Sequence, residues 1–110
     1  MSIYVAGSLA CDRIMSVNGA FADHILADKL HSLNVSFLID GLVERRGGCA
    51  GNIAYTLALM GEKPLILATA GKNVSEYGAF LESKGISLEG VRVMKDEFTA
   101  SCTLITDKNN

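Results

Sequence analysis

The sequence predicts a mostly parallel α/β sheet, and three observations predict it. Residues 3–7 and 65–70 are short, almost unbroken apolar runs, the pattern of strands buried on both faces. A glycine-rich segment, 45–51, and Asn52 lead into an apolar run at 53–60 long enough for a helix. Residues 75–84 then place Tyr77, Phe80 and Leu81 at i, i+3 and i+4, a second helix after the second run. Strand, helix and strand in alternation select right-handed parallel connections.

Taken in order, the first run ends at Gly7-Ser8, with Asp12 close behind. Ligands of open parallel sheets sit beyond the carboxyl ends of the strands, so Asp12 is placed either for a ligand or as a turn aspartate. Residues 13–17 form a second extended piece, closed by the turn signal Asn18-Gly19. Asp23 predicts the cap of a short helix with Ile25, Leu26, Leu30 and His31 inward. Residues 35–43 alternate imperfectly: Val35, Phe37 and Ile39 share one face, and Ser36, Leu38 and Asp40 the other. A strand apolar on both sides predicts an edge or lid covered by a ligand or a second subunit.

The segment 45–61 organises the rest. Glycines at 47, 48 and 51 allow close approach to the backbone, and Asn52 stands where a helix N-cap is expected, with an amide that donates and accepts. The spacing is neither a Walker phosphate loop nor a dinucleotide fingerprint. It reads as a small-molecule cradle or as a glycine turn opening a helix. The helix that follows is apolar nearly all round, which predicts burial. Gly61 and then Pro64 end it. Ser75 is the expected cap of the next helix and Gly85 its terminator. Val91 and Val93 belong to a further strand, and 98–106 is a last extended stretch with small polar residues interleaved. The extended excursions fit neither helix layer and are expected to pair as a separate small sheet. With three core strands and a turn-like end at Asp107-Lys108-Asn109-Asn110, the expectation is a piece of a longer protein.

Composition narrows the partners. The 110 residues are 49% apolar with a formal net charge of −2, which argues for a globular domain and against nucleic acid or an anionic membrane surface. No apolar run approaches the ~20 residues of a membrane span. Cys11, Cys49 and Cys102 are odd in number and unpaired in spacing, so reduced thiols in the cytoplasm are expected. Cys49 is either a reactive thiol or a small buried filler. His24 and His31 have no partner at ligand spacing, and no metal site is expected.

Two motifs in register carry a family resemblance. Gly-Ser-x-x-x-Asp at Gly7, Ser8 and Asp12, followed by Gly-Gly-x-x-x-Asn at Gly47, Gly48 and Asn52, resembles the ribokinase-like (PfkB) sugar and nucleoside kinases over the whole chain. The piece from Leu33 to Asp40, the run Arg46 to Asn52, Ala70-Gly71, Thr99-Ala100 and Thr106-Asp107 look especially like the bacterial adenosine kinase branch. The resemblance implies that residues 1–110 are the N-terminal, substrate-binding part of a doubly wound α/β kinase. A small β-sheet lid would be built from about 13–17, 35–45 and 98–107. It implies ATP and Mg2+ in the intact protein, transfer of the γ-phosphoryl group to a hydroxymethyl group of a nucleoside, adenosine above all, and a homodimer formed through the lids. A ribokinase- or fructokinase-type sugar kinase and a non-catalytic interaction module are the alternatives. Asp12 matches the carboxylate that grips a sugar diol, whose two donors suit two acceptor oxygens. Gly47, Gly48 and Asn52 match further hydroxyl-binding positions, Ser8 the base pocket, and Ser36 and Phe37 the lid cover over the base. The family's catalytic aspartate and its glycine-rich oxyanion loop have no match in this chain, so the chain alone is expected to be inactive. Cys102 stands where a second stacking aromatic is expected, and Asn73 where many members have aspartate.

Overall fold

The computed structural model describes residues 2–25, 27–32 and 35–109. Leu26, predicted to face inward, and Leu33-Asn34, which open the adenosine-kinase-like piece, lie outside the described residues. Among the described residues, six strands and two α-helices run in the order β1 (Tyr4–Ala6), β2 (Ala10–Val17), β3 (Ile39–Gly47), α1 (Cys49–Leu59), β4 (Leu65–Gly71), α2 (Ser75–Ser83), β5 (Val91–Met94) and β6 (Ala100–Thr106). They make two three-stranded sheets, β1-β4-β5 and β3-β2-β6. The chain forms two compact units. One holds the described residues through Asp12 with Arg45–Cys102, and the other those of Arg13–Glu44 and Thr103–Asn110.

In the first unit β1 pairs parallel with β4, Val5 opposite Ile66, and β4 pairs parallel with β5, Ala70 opposite Val93. Val5, Ile66 and Ala70 point to one face and form the core with Ala50 and Ala54 of α1 and Tyr77 and Leu81 of α2. Small residues on α1 let it lie close against β1 and β4. Both helices end as their sequence implies. Gly61 has φ 90° and Gly85 φ 81°. In α1 the amides of Gly61 and Glu62 bond to Ala58 and Leu57, and in α2 those of Gly85 and Ile86 bond to Glu82 and Leu81, the two bonds of a Schellman closure.

Several expectations are corrected. The continuous apolar runs predicted burial on both sheet faces, yet Tyr4 is 63% and Leu67 44% exposed, because both helices stack on the face of Val5 and Ile66. Helix α1 is not buried all round. Ala50, Gly51 and Ala54 are buried, whereas Ile53, Leu59 and Met60 are exposed on its outer side. The extended piece predicted at 13–17 starts at Ala10, so Asp12 lies within β2 rather than in a turn beyond β1. Val74 precedes α2 without a side-chain cap bond, and Ser75 is its first helical residue.

In the second unit, residues 21–23 and 27–32 form two short 3-10 helices rather than one capped helix. Asp23 ends the first, and its Oδ2 accepts the Ala20 amide at 3.4 Å. Leu30 and His31 are exposed, not inward. The strand predicted at 35–43 begins only at Ile39 and runs to Gly47. The alternation before it is nonetheless present, with Val35, Phe37 and Ile39 half-buried and Ser36, Leu38 and Asp40 exposed. Phe37 packs on Phe21 at 5.2 Å and on His24 at 5.3 Å between ring centroids. The Asp107 carboxylate accepts the Phe21 amide at 2.8 Å, and Gly19 accepts that of Lys108 at 2.9 Å. The Arg13–Glu44 ion pair, 3.3 Å and exposed on both sides, contributes little.

Candidate functional site

The glycine segment forms a tight connection between β3 and α1. Gly48, at φ 89° and ψ 141°, is the helix N-cap, a conformation that suits glycine alone. This corrects the place of Asn52, which lies one turn into α1 instead of at its cap. The first donors of the helix are taken by another segment. The Ser8 carbonyl accepts the Ala50 amide at 3.0 Å, and the Ser8 hydroxyl accepts the Cys49 amide at 3.2 Å. Ser8 thus caps α1 from the end of β1, while also lining a cavity of about 290 Å³ with Thr69, Glu97, Phe98 and Thr99. No described residue takes the Gly48 amide, which is left open at a half-buried position.

Asp12 faces the same turn. A Cβ on Gly47 would lie 2.6 Å from Asp12 Oδ2, so the carboxylate rests directly over the glycine. From the opposite side comes a residue that sequence reasoning assigned only to the core. The Tyr77 hydroxyl donates to the Gly47 carbonyl at 2.7 Å, with the side chain 5% exposed. Gly51 leaves room for that hydroxyl, which any Cβ there would strike. Burial pushes the Tyr77 phenol above its ordinary value, and the neighbouring Cys11 and Asp12 push the same way against Arg46, so the group stays a donor. The signal was in the sequence: a tyrosine among core positions needs a partner for its hydroxyl. Arg46 is held too, its guanidinium 3.7 Å from the centroid of the Phe80 ring, one turn from Tyr77 on α2.

The structure therefore gathers Ser8, Asp12, Gly47 and Gly48 around one turn. Asn52 is a turn further along α1, exposed, and lines a shallow cavity with Ile53, Thr56 and Leu57 rather than the one that Ser8 lines. Ser36 and Phe37 belong to the other unit, Ser36 exposed and Phe37 in its aromatic cluster. The Cys49 thiol is exposed, which excludes the buried-filler reading. Its Sγ lies 3.6 Å from the Ser8 hydroxyl, and hydrogen bonds from Ser8, backbone first and then side chain, hold its pKa below the ordinary value. Cys102 is exposed on β6.

Asn73 turns out to be part of the scaffold. Its Oδ1 accepts the Thr99 amide at 2.8 Å, and the buried Thr99 hydroxyl accepts the Gly71 amide at 2.9 Å. Only an acceptor oxygen is needed there, which aspartate and asparagine both supply.

No family model matches the chain. Over 100 residues it is 28% identical to a nucleoside kinase of Methanothermobacter thermautotrophicus, covering 88% of this chain and 32% of that protein. A nucleoside kinase of Burkholderia thailandensis, solved in ligand-free form, matches with a TM-score of 0.84 at 39% identity, over 99% of this chain and 36% of that one. The same kinase in complex with inosine matches at 0.75 and 36%, over 99% and 34%. A nucleoside kinase of Methanocaldococcus jannaschii, an archaeal member of the ribokinase family, shares the fold at a TM-score of 0.80 and 23% identity, over 99% and 34%. The chain spans about a third of the length of these relatives. It has the fold of the N-terminal part of the ribokinase-family kinases, and in sequence and structure it is similar to their nucleoside kinases.

Proposed function

We propose that this chain is the substrate-recognition part, residues 1–110, of an ATP-dependent nucleoside kinase acting on the hydroxymethyl group of a nucleoside, adenosine first. One observation carries the reading: at a single turn an open amide, that of Gly48, stands beside a carboxylate, that of Asp12, resting on Gly47. A sugar diol offers donors to the carboxylate and an acceptor to the amide, so one turn can grip both. Asn52 extends the grip along α1, Ser8 borders the base, and Ser36 and Phe37 belong to a lid made of about 13–17, 35–45 and 98–107. The exposed apolar side chains Leu42 and Val43 on β3 and Leu104 and Ile105 on β6, apolar on both faces of the two outer strands of their sheet, support a lid-to-lid homodimer.

ATP and Mg2+ belong to this reading only through the intact kinase. Among the described residues no group of three or more His, Cys, Asp or Glu side chains could hold a metal ion. No described helix is long and apolar enough to cross a membrane. Three free cysteines support a reducing, cytoplasmic setting.

Titration of the chain with adenosine, inosine, ribose and fructose, followed by calorimetry, tests the reading. Adenosine and inosine are expected to bind. Ribose or fructose bound in their absence would replace the nucleoside by a sugar. Asp12→Asn keeps the size and removes the charge, and is expected to cost about 1–3 kcal/mol of nucleoside affinity; unchanged affinity would take Asp12 out of the site.

A further inference from the structure

Neither Gly47 nor Gly48 has a side chain that could hold the peptide between them, so its orientation depends on what its own carbonyl and amide meet. A peptide group is planar, so the Gly47 carbonyl and the Gly48 N–H move as one body and point in opposite directions. Whatever fixes the carbonyl therefore aims the amide. The carbonyl has one side-chain partner, the buried Tyr77 hydroxyl at 2.7 Å. The amide on the far side of the same plane has none among the described residues. The tie is built on three sides. Gly51 makes room for the hydroxyl, Phe80 of the same helix face holds Arg46 next to the turn, and Tyr77 sits in the core with Leu9 and Leu81.

We propose that Tyr77 is a positioning residue for substrate: by holding the Gly47 carbonyl it orients the Gly48 N–H toward a ribose hydroxyl. This rests on the reading that the turn grips a nucleoside. Tyr77 touches no substrate in it. Its effect passes through one peptide plane, so it is specific to the hydroxyl that Gly48 binds, whereas a merely structural tyrosine would weaken all ligands alike.

The test uses the isotopically labelled chain and Tyr77→Phe, which keeps the ring and deletes the hydroxyl. Ile86→Val, a core change at the end of α2, serves as a control for stability alone. Magnetic resonance relaxation of the Gly48 amide without ligand reports the plane directly. The amide is expected to be rigid in the native chain and in Ile86→Val, and mobile in Tyr77→Phe. Adenosine affinity is expected to fall roughly fivefold to tenfold in Tyr77→Phe, the loss of one hydrogen bond, and to hold in Ile86→Val. Of 2′-deoxyadenosine and 3′-deoxyadenosine, the one that the native chain binds more weakly should show no further loss in Tyr77→Phe. An amide equally rigid in Tyr77→Phe overturns the proposal, as does a loss of affinity matched by Ile86→Val. An amide loosened only in Tyr77→Phe, with no nucleoside bound by any form, upholds the tie and overturns the nucleoside reading instead.

Discussion

At Gly71 and at Gly48 the backbone runs so near another segment that a Cβ would strike main-chain atoms, yet the two crossings are finished differently. At Gly71 the neighbouring connection of residues 97–99, between β5 and β6, closes the gap with side chain and backbone alike. The Gly71 amide bonds to Thr99 Oγ1, the Lys72 amide to the Glu97 carbonyl, and the Thr99 amide to Asn73 Oδ1. At Gly48 the helix donors that follow are capped by Ser8 and the preceding carbonyl is held by Tyr77, but the glycine's own amide is left open beside a carboxylate. Two glycine crossings thus separate into scaffold and candidate site by one criterion, whether the donors are used up within the chain. A saturated crossing has nothing to offer a ligand.

The comparison is broken most severely at the saturated crossing. In Gly71→Ala the new methyl meets the backbone of Phe98 and Thr99, which cannot step aside, and the expected loss is about 3 kcal/mol in chemical denaturation. Gly48→Ala meets the Ser8 carbonyl and must also hold a positive φ, for a loss of about 2 kcal/mol. The two differ in kind as well as size. Nucleoside affinity, measured below the unfolding transition, is expected to survive the first change and to vanish with the second.

Removing one bond should cost less than inserting an atom. Thr99→Val keeps the shape of a 3% exposed side chain and leaves the Gly71 amide without its acceptor, for about 1.5 kcal/mol. Asn73→Leu removes an acceptor nearer the surface and is expected to cost about 1 kcal/mol, whereas Asn73→Asp should lie within about 0.5 kcal/mol of the native chain. An aspartate variant as damaged as the leucine one would mean that the carboxamide nitrogen has a role as well.

The smallest effect is read on a thiol rather than on unfolding. Because Ser8 stabilises the Cys49 thiolate, iodoacetamide should modify Cys49 with a midpoint below the ordinary 9.0, its rate rising with pH as the thiolate forms. Ser8→Ala removes the hydroxyl's part of this and should move the midpoint part of the way upward, while the larger part from the Ser8 amide remains. An unmoved midpoint would show that the Ser8 hydroxyl does not reach the thiolate.

Much of this was legible in the chain itself. Parallel strands follow from unbroken apolar runs at 3–7 and 65–70, and helix ends from Gly61 and Gly85, because burial and φ are properties of single residues and short windows. Gly47 and Gly48 stood out as a cradle from the residues themselves, whereas Ser8 and Asp12 gained their roles from the resemblance of their motifs. The sequence did not reveal which apolar face is covered. Ile53, Leu59 and Met60 read as core and are exposed, since periodicity shows a stripe but not what packs against it. Nor could spacing reveal that Ser8 caps a helix 41 residues away, that Tyr77 holds a carbonyl 30 residues before it, or that Asn73 braces Thr99. Those bonds join distant segments, and only the folded chain decides which donor meets which acceptor.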